Sequence, residues 1–184
     1  MCSGGLDRWV VKGGSLGRAQ TPKSATVTLT TSPNDEAYLA SIYRMHATLF
    51  RQSAALVSAT FDTPPSISPR SYLAVPFYFL VSHAMELLLK SALLKRGVGE
   101  AALRNHEVRH NLGAMMTQLE AMGLTITHQT ATVVRAMSDQ HENHALRYSA
   151  LVDDGKSTYM PPPAMIEDTL DELLLLTRIS TQGR

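Results

Sequence analysis

The 184-residue chain has a single cysteine, Cys2, in a Gly-rich start. A disulfide framework is thereby excluded, and a reducing compartment is compatible with the sequence. Cys2 reads as a stray terminal residue rather than a catalytic thiol. Charge of one sign is also lacking: 17 Lys plus Arg stand against 16 Asp plus Glu. No global field steers such a chain to nucleic acid or to an anionic membrane. No apolar run approaches the roughly 18 residues that a spanning helix needs. The longest candidate is broken by His83, Glu86 and Lys90, so it reads as core, with no membrane and a cytoplasmic location expected. The N-terminus has no signal-peptide apolar region. Strand alternation is missing too, for Ala25–Thr31 comes closest and has no partner strand.

What the chain does have is a greasy stretch from Phe77 to Gly97. Its polar residues Ser82, His83, Glu86 and Lys90 fall on one narrow stripe at about 100° per residue. That is the pattern of a helix buried on most sides and keeping one polar seam. Gly97 stands where a helix C-cap is expected.

Other helices are placed around it by the same periodicity. Ser32-Pro33-Asn34-Asp35 is a helix start, and Leu39, Ile42, Tyr43, Leu49, Phe50 and Leu56 carry a stripe to about Ala59. Three prolines between Pro64 and Pro69 make a loop. The central helix begins near Ser71, and residues 97–104 form a connector with room for one short helical turn. A third helix is expected from about Asn105 to Met122, a fourth from Thr127 to His144, and a fifth from Ala164 to Ile179. The expected fold is all-α, an antiparallel up-and-down bundle of four to five helices over residues 32–180. Residues 1–31 are expected to be a disordered tail and residues 181–184 a short C-terminal one.

Three groups of residues could carry chemistry. His106-Glu107-Val108-Arg109-His110 satisfies the zinc pattern H-E-x-x-H, whose two histidines lie within about 40° of each other on a helix. The third ligand position of the longer pattern is Met116, a poor zinc ligand, and no sheet precedes the helix. The two histidines face away from the Val108/Leu112/Met115 stripe and are expected at the surface, so a zinc hydrolase is a remote alternative. His141 and His144 extend the apolar stripe of Val133, Val134 and Met137, where satisfied core histidines are the commoner outcome. Glu86 and Lys90 form an i, i+4 pair in the favourable order, read as partly buried with the lysine reaching for solvent.

The run His83-Ala84-Met85-Glu86-Leu87-Leu88-Leu89-Lys90-Ser91-Ala92-Leu93-Leu94 resembles the second-helix signature of the HEPN superfamily. Arg109-His110-Asn111-Leu112 is similar to that family's Gly-His-Asp-Leu turn, with Arg and Asn in place of Gly and Asp. Leu146-Arg147-Tyr148 resembles the Arg-Tyr pair that follows the next helix. Order and spacing agree over roughly residues 36–178. The resemblance implies a helical bundle, often a homodimer, associated with RNA or nucleotides, with toxin–antitoxin or defence systems, or with non-catalytic partner roles. It implies no cofactor and no metal, and any activity would be that of a metal-independent ribonuclease.

Catalytic members carry Arg, four to six residues, then His. Arg104 with His110 and Arg135 with His141 both fit, yet 12 arginines and 7 histidines yield such pairs by chance. Arg135 and His141 also lie about 120° apart on one helix. Carried over residue by residue, the resemblance places His110, His141, His144, Arg147 and Tyr148 near a binding site, with Glu86 and Lys90 behind it. The alternative is a non-catalytic interaction module that binds a protein partner, or itself, through surfaces at Met115, Met116, Met122 and Met137.

Overall fold

The computed structural model describes residues 33–59, 74–142 and 160–178. Among these are six helices: α1 (Pro33–Ser58), α2 (Ala74–Leu94), α3 (Glu100–Leu103), α4 (Leu112–Ala121), α5 (His128–Glu142) and α6 (Pro163–Leu176). The expectation of four to five helices is therefore corrected to six, of which α3 is only four residues long. The expected terminal tails lie outside the described residues.

α2 forms the centre because its sequence leaves it no exposed face to offer. Phe77, Val81, Ala84, Met85, Leu89 and Leu93 are wholly buried, and α2 packs against α1, α4, α5 and α6. By length and composition alone this 21-residue helix could cross a membrane, which corrects the expectation that no apolar stretch is long enough. In the structure 78% of its most apolar window is buried inside the protein, the behaviour of a core helix.

The C-terminal end of α2 is closed by glycine. Gly97 adopts φ 82° after the helix, so Val98 N–H can donate to Leu93 O and Gly97 N–H to Leu94 O. This is the left-handed closure that glycine enters without a Cβ penalty.

α1 and α2 run antiparallel. Ser91 Oγ, late in α2, donates to Ala40 O, early in α1, while Phe50 stacks on His83 further along. α6 runs in the same direction as α2: Tyr78 donates to Pro161 O and Lys95 to Thr177 O, matching start to start and end to end. Strict alternation of five long helices would oppose these two, so the bundle is not simply up-and-down.

The segment before α4 departs most from the periodicity. α4 begins at Leu112 and not near Asn105, because Asn111 is its N-cap, with Oδ1 accepting from Ala114 N–H at 2.7 Å. Residues 104–110 are turns. Ser138 of α5 locks this corner by accepting from Gly113 N–H at 3.0 Å and donating to Asn111 Oδ1 at 3.3 Å. The residue just outside the cap, His110, is thereby held against the middle of the bundle.

Candidate functional site: a buried carboxylate among histidines

Glu86 sits at mid-length of α2, 4% exposed. A carboxylate there is tolerated only if it is charge-paired and hydrogen-bonded. Three side chains meet the need, and a fourth stands close by. Lys90, one turn on, donates to Oε1. His141 of α5 donates from Nε2 to Oε2 at 2.5 Å. His110 Nδ1, from the turn before α4, stands 3.3 Å from Oε1 and 3.4 Å from Oε2. His83 Nδ1, one turn back on α2, lies 3.7 Å from Oε2.

Burial alone would raise the Glu86 pKa, but the hydrogen bonds from His141 and Lys90, with their charges, outweigh it and hold the carboxyl at about 2. It is ionised throughout the physiological range. Partial burial lowers the His110 pKa, against the opposing pull of Glu86. The His83 ring is packed in an aromatic wall, stacked on Phe50 with centroids 5.4 Å apart and edge-on to Phe79 at 4.6 Å. It meets the His141 ring edge-on at 5.2 Å. Access is graded, since the side chain of His141 is 4% exposed, that of His83 19% and that of His110 27%.

The structure thus brings together four of the residues singled out in the sequence: Glu86, Lys90, His110 and His141. Lys90 does not reach for solvent; it is 9% exposed and turned onto Glu86. His141 is buried and satisfied. His110 does not point away from the bundle as its sequence position suggested, because it belongs to a turn and not to a helix. Arg104 and Arg135 are not gathered in. Arg104 pairs with Glu100 and Arg135 approaches Glu120, both on the outside of the bundle. His144, Arg147 and Tyr148 lie outside the described residues.

Compared with family models, with curated proteins and with solved structures, the chain has no match in any of the three. The all-helical bundle agrees with the architecture implied by the HEPN resemblance, and many other helical proteins share it.

Two sequence readings are corrected here. The H-E-x-x-H pattern does not present its histidines on a helix, for residues 106–110 are turns, although His106 is exposed as expected. The metal-competent group is a different one: His83, Glu86 and His141, whose donor atoms all lie within 4.8 Å of one another. Two imidazoles and a carboxylate that could hold a divalent ion overturn a strictly metal-independent account of any activity. His83 had not been singled out as a site residue. Its signal was available, because His83-x-x-Glu86 places two ligating groups one turn apart, a spacing that metal-binding helices use.

Proposed function

We propose that this is an RNA- or nucleotide-associated helical protein whose ligand is met at the Glu86 cluster. The observation that carries the reading is the burial of one carboxylate under side chains from α2, α5 and the turn before α4. Bringing such a group out of water is stability-neutral at best, and perturbed ionisable groups of this kind concentrate at functional sites. His110 is the most exposed member, and exposed Arg109 precedes it on the same turn. Together they offer hydrogen-bond donors and a positive charge to a phosphate. The choice of a phosphoester ligand rests on the resemblance of the α2 run and of the Arg109–Leu112 turn.

Fluorescence anisotropy with labelled single-stranded RNA and with a labelled nucleotide tests it. Saturable binding that weakens at least tenfold in both Arg109→Ala and His110→Ala is expected. Wild-type protein that binds neither probe, or variants that bind as well as wild type, would end the proposal.

A second reading is an interaction module, a homodimer included, and one observation favours it. Along α1 the exposed residues from Tyr38 to Ala59 include Tyr38, Met45, Leu49 and Leu56 and not one Asp, Glu, Lys or Arg. The methionines named for this role in the sequence do not form the surface: Met115, Met116 and Met137 are fully buried, and only Met122 is exposed. Light scattering of wild type against Leu49→Asp decides it, a monomer in both cases counting against self-association.

A further inference from the structure

The two oxygens of Glu86 are used differently. Lys90 is confined to Oε1. His83 Nδ1 and His141 Nε2 both approach Oε2, from the same helix one turn back and from α5. His110 reaches both oxygens at nearly equal distance. Oε2 therefore lies at the centre of two imidazole nitrogens, while its partner oxygen keeps the lysine charge at the far side of the carboxylate.

From this arrangement the geometry points to a metal site: His83 Nδ1, Glu86 Oε2 and His141 Nε2 bind one divalent zinc-class ion. Two imidazoles and a carboxylate leaving a position open to solvent are a recurrent donor set for Zn²⁺, and imidazole nitrogen favours such ions over Mg²⁺ or Ca²⁺. Metal–ligand bonds of about 2.0–2.1 Å in tetrahedral geometry set donor atoms roughly 3.3 Å apart. The His83–Glu86 separation of 3.7 Å needs little change. The His141–Glu86 separation of 2.5 Å is that of a hydrogen bond and must open by less than an ångström.

What changes there is the occupant between Nε2 and Oε2. Zn²⁺ takes the place of the hydrogen between Nε2 and Oε2, that hydrogen passes to Nδ1 of the same imidazole by exchange with solvent, and the lone pairs of Nε2 and Oε2 form the new bonds. His141 is then held as the tautomer with its hydrogen on Nδ1. Phe50 and Phe79 pack the His83 ring and fix its orientation, the role that surrounding residues play for metal-bound imidazoles. Lys90 stays on Oε1 and offsets part of the carboxylate charge.

This site does not depend on the identity of any RNA or nucleotide ligand. Its test is metal content and Zn²⁺ titration of the full chain, stripped with EDTA and followed by calorimetry. One Zn²⁺ per chain is expected, with a raised Tm. His83→Ala should weaken binding by more than the 10–100-fold typical of changes around a site. That variant keeps the Lys90 and His141 bonds to Glu86, so its fold, checked by circular dichroism, should persist. His106→Ala should bind as wild type. Stripped wild-type protein that takes up no Zn²⁺, His83→Ala that binds it unchanged, or His106→Ala that loses it would each overturn the assignment.

Discussion

Two charge clusters tie this bundle together, and they are built to different standards. Between α1 and α6, Arg51 donates to Glu167 at 2.8 Å and to Asp171 at 2.6 Å. The Arg51 side chain is one quarter exposed and that of Asp171 63% exposed. Between α2, α5 and the turn before α4, Glu86 gathers Lys90 and His141, all three nearly buried, with the partly exposed His110 at the edge. The first cluster has good forked geometry at little desolvation cost. The second takes ionised groups into the core, where well-packed apolar residues would serve stability equally or better. A surface cluster needs no reason beyond chain topology. The buried one, with imidazole nitrogens around its carboxylate and an opening at His110, is the one for which the proposed ligand would supply a reason.

The largest expected effect comes from Glu86→Gln. It removes the charge that Lys90 and His141 are turned toward, stranding a buried ammonium, and breaking such a pair costs about 3–5 kcal/mol. Urea denaturation of the metal-free protein measures it, and a loss under 1 kcal/mol would mean that Lys90 escapes to solvent. Acid acts on the same group. The folded carboxyl titrates at about 2 against its ordinary 4.5, so the unfolded chain takes up the proton first. The stability this group contributes is complete above pH 4.5 and is lost as pH falls toward 2. Glu86→Gln should flatten that part of the acid limb, read from thermal melts of EDTA-treated protein. Asp171 is also lowered, by its hydrogen bond from Arg51. Being mostly exposed and screened, it adds a smaller loss in the same direction, below its ordinary 3.8.

Replacing the buried cluster as a whole separates stability from function. Glu86→Leu with Lys90→Met and His141→Phe removes the charges and keeps most of the volume. Such replacements are neutral or stabilising by about 1–4 kcal/mol. The triple variant should match or exceed wild type in urea while losing both Zn²⁺ and RNA or nucleotide binding. If it unfolds, the cluster is structural and the contrast between the two regions disappears.

The sequence made some of this visible and hid the rest for identifiable reasons. The central helix was legible because its apolar residues cover nearly the whole circumference. Its polar seam was legible because Ser82, Glu86 and Lys90 recur at helical spacing. The start of α4 was misread. His106–Asn111 sits between two helices and continues their periodicity, whereas the Asn111 cap and its link to Ser138 hold the segment as turns. The meeting of Glu86 with His141 spans 55 residues and depends on how α5 packs on α2. Nothing local announces it. The six-helix count turned on α3, four residues that periodicity cannot distinguish from a turn.

The smallest expected effect belongs to the surface cluster, and it is the control for everything above. Arg51→Ala removes one guanidinium from two carboxylates that water can reach. Side-chain ordering and solvent screening leave exposed pairs of this kind worth about 0–1 kcal/mol. The variant should therefore unfold within about 1 kcal/mol of wild type, and the difference should shrink further at 1 M salt, where the Debye length is about 3 Å. Zn²⁺ titration and RNA binding should be unchanged, because Arg51 contacts α6 and not the Glu86 cluster. A cost above 3 kcal/mol would instead make Arg51 the clamp that seats α6 on α1. The two clusters would then differ only in their exposure, and burial alone would no longer single out Glu86 as a site.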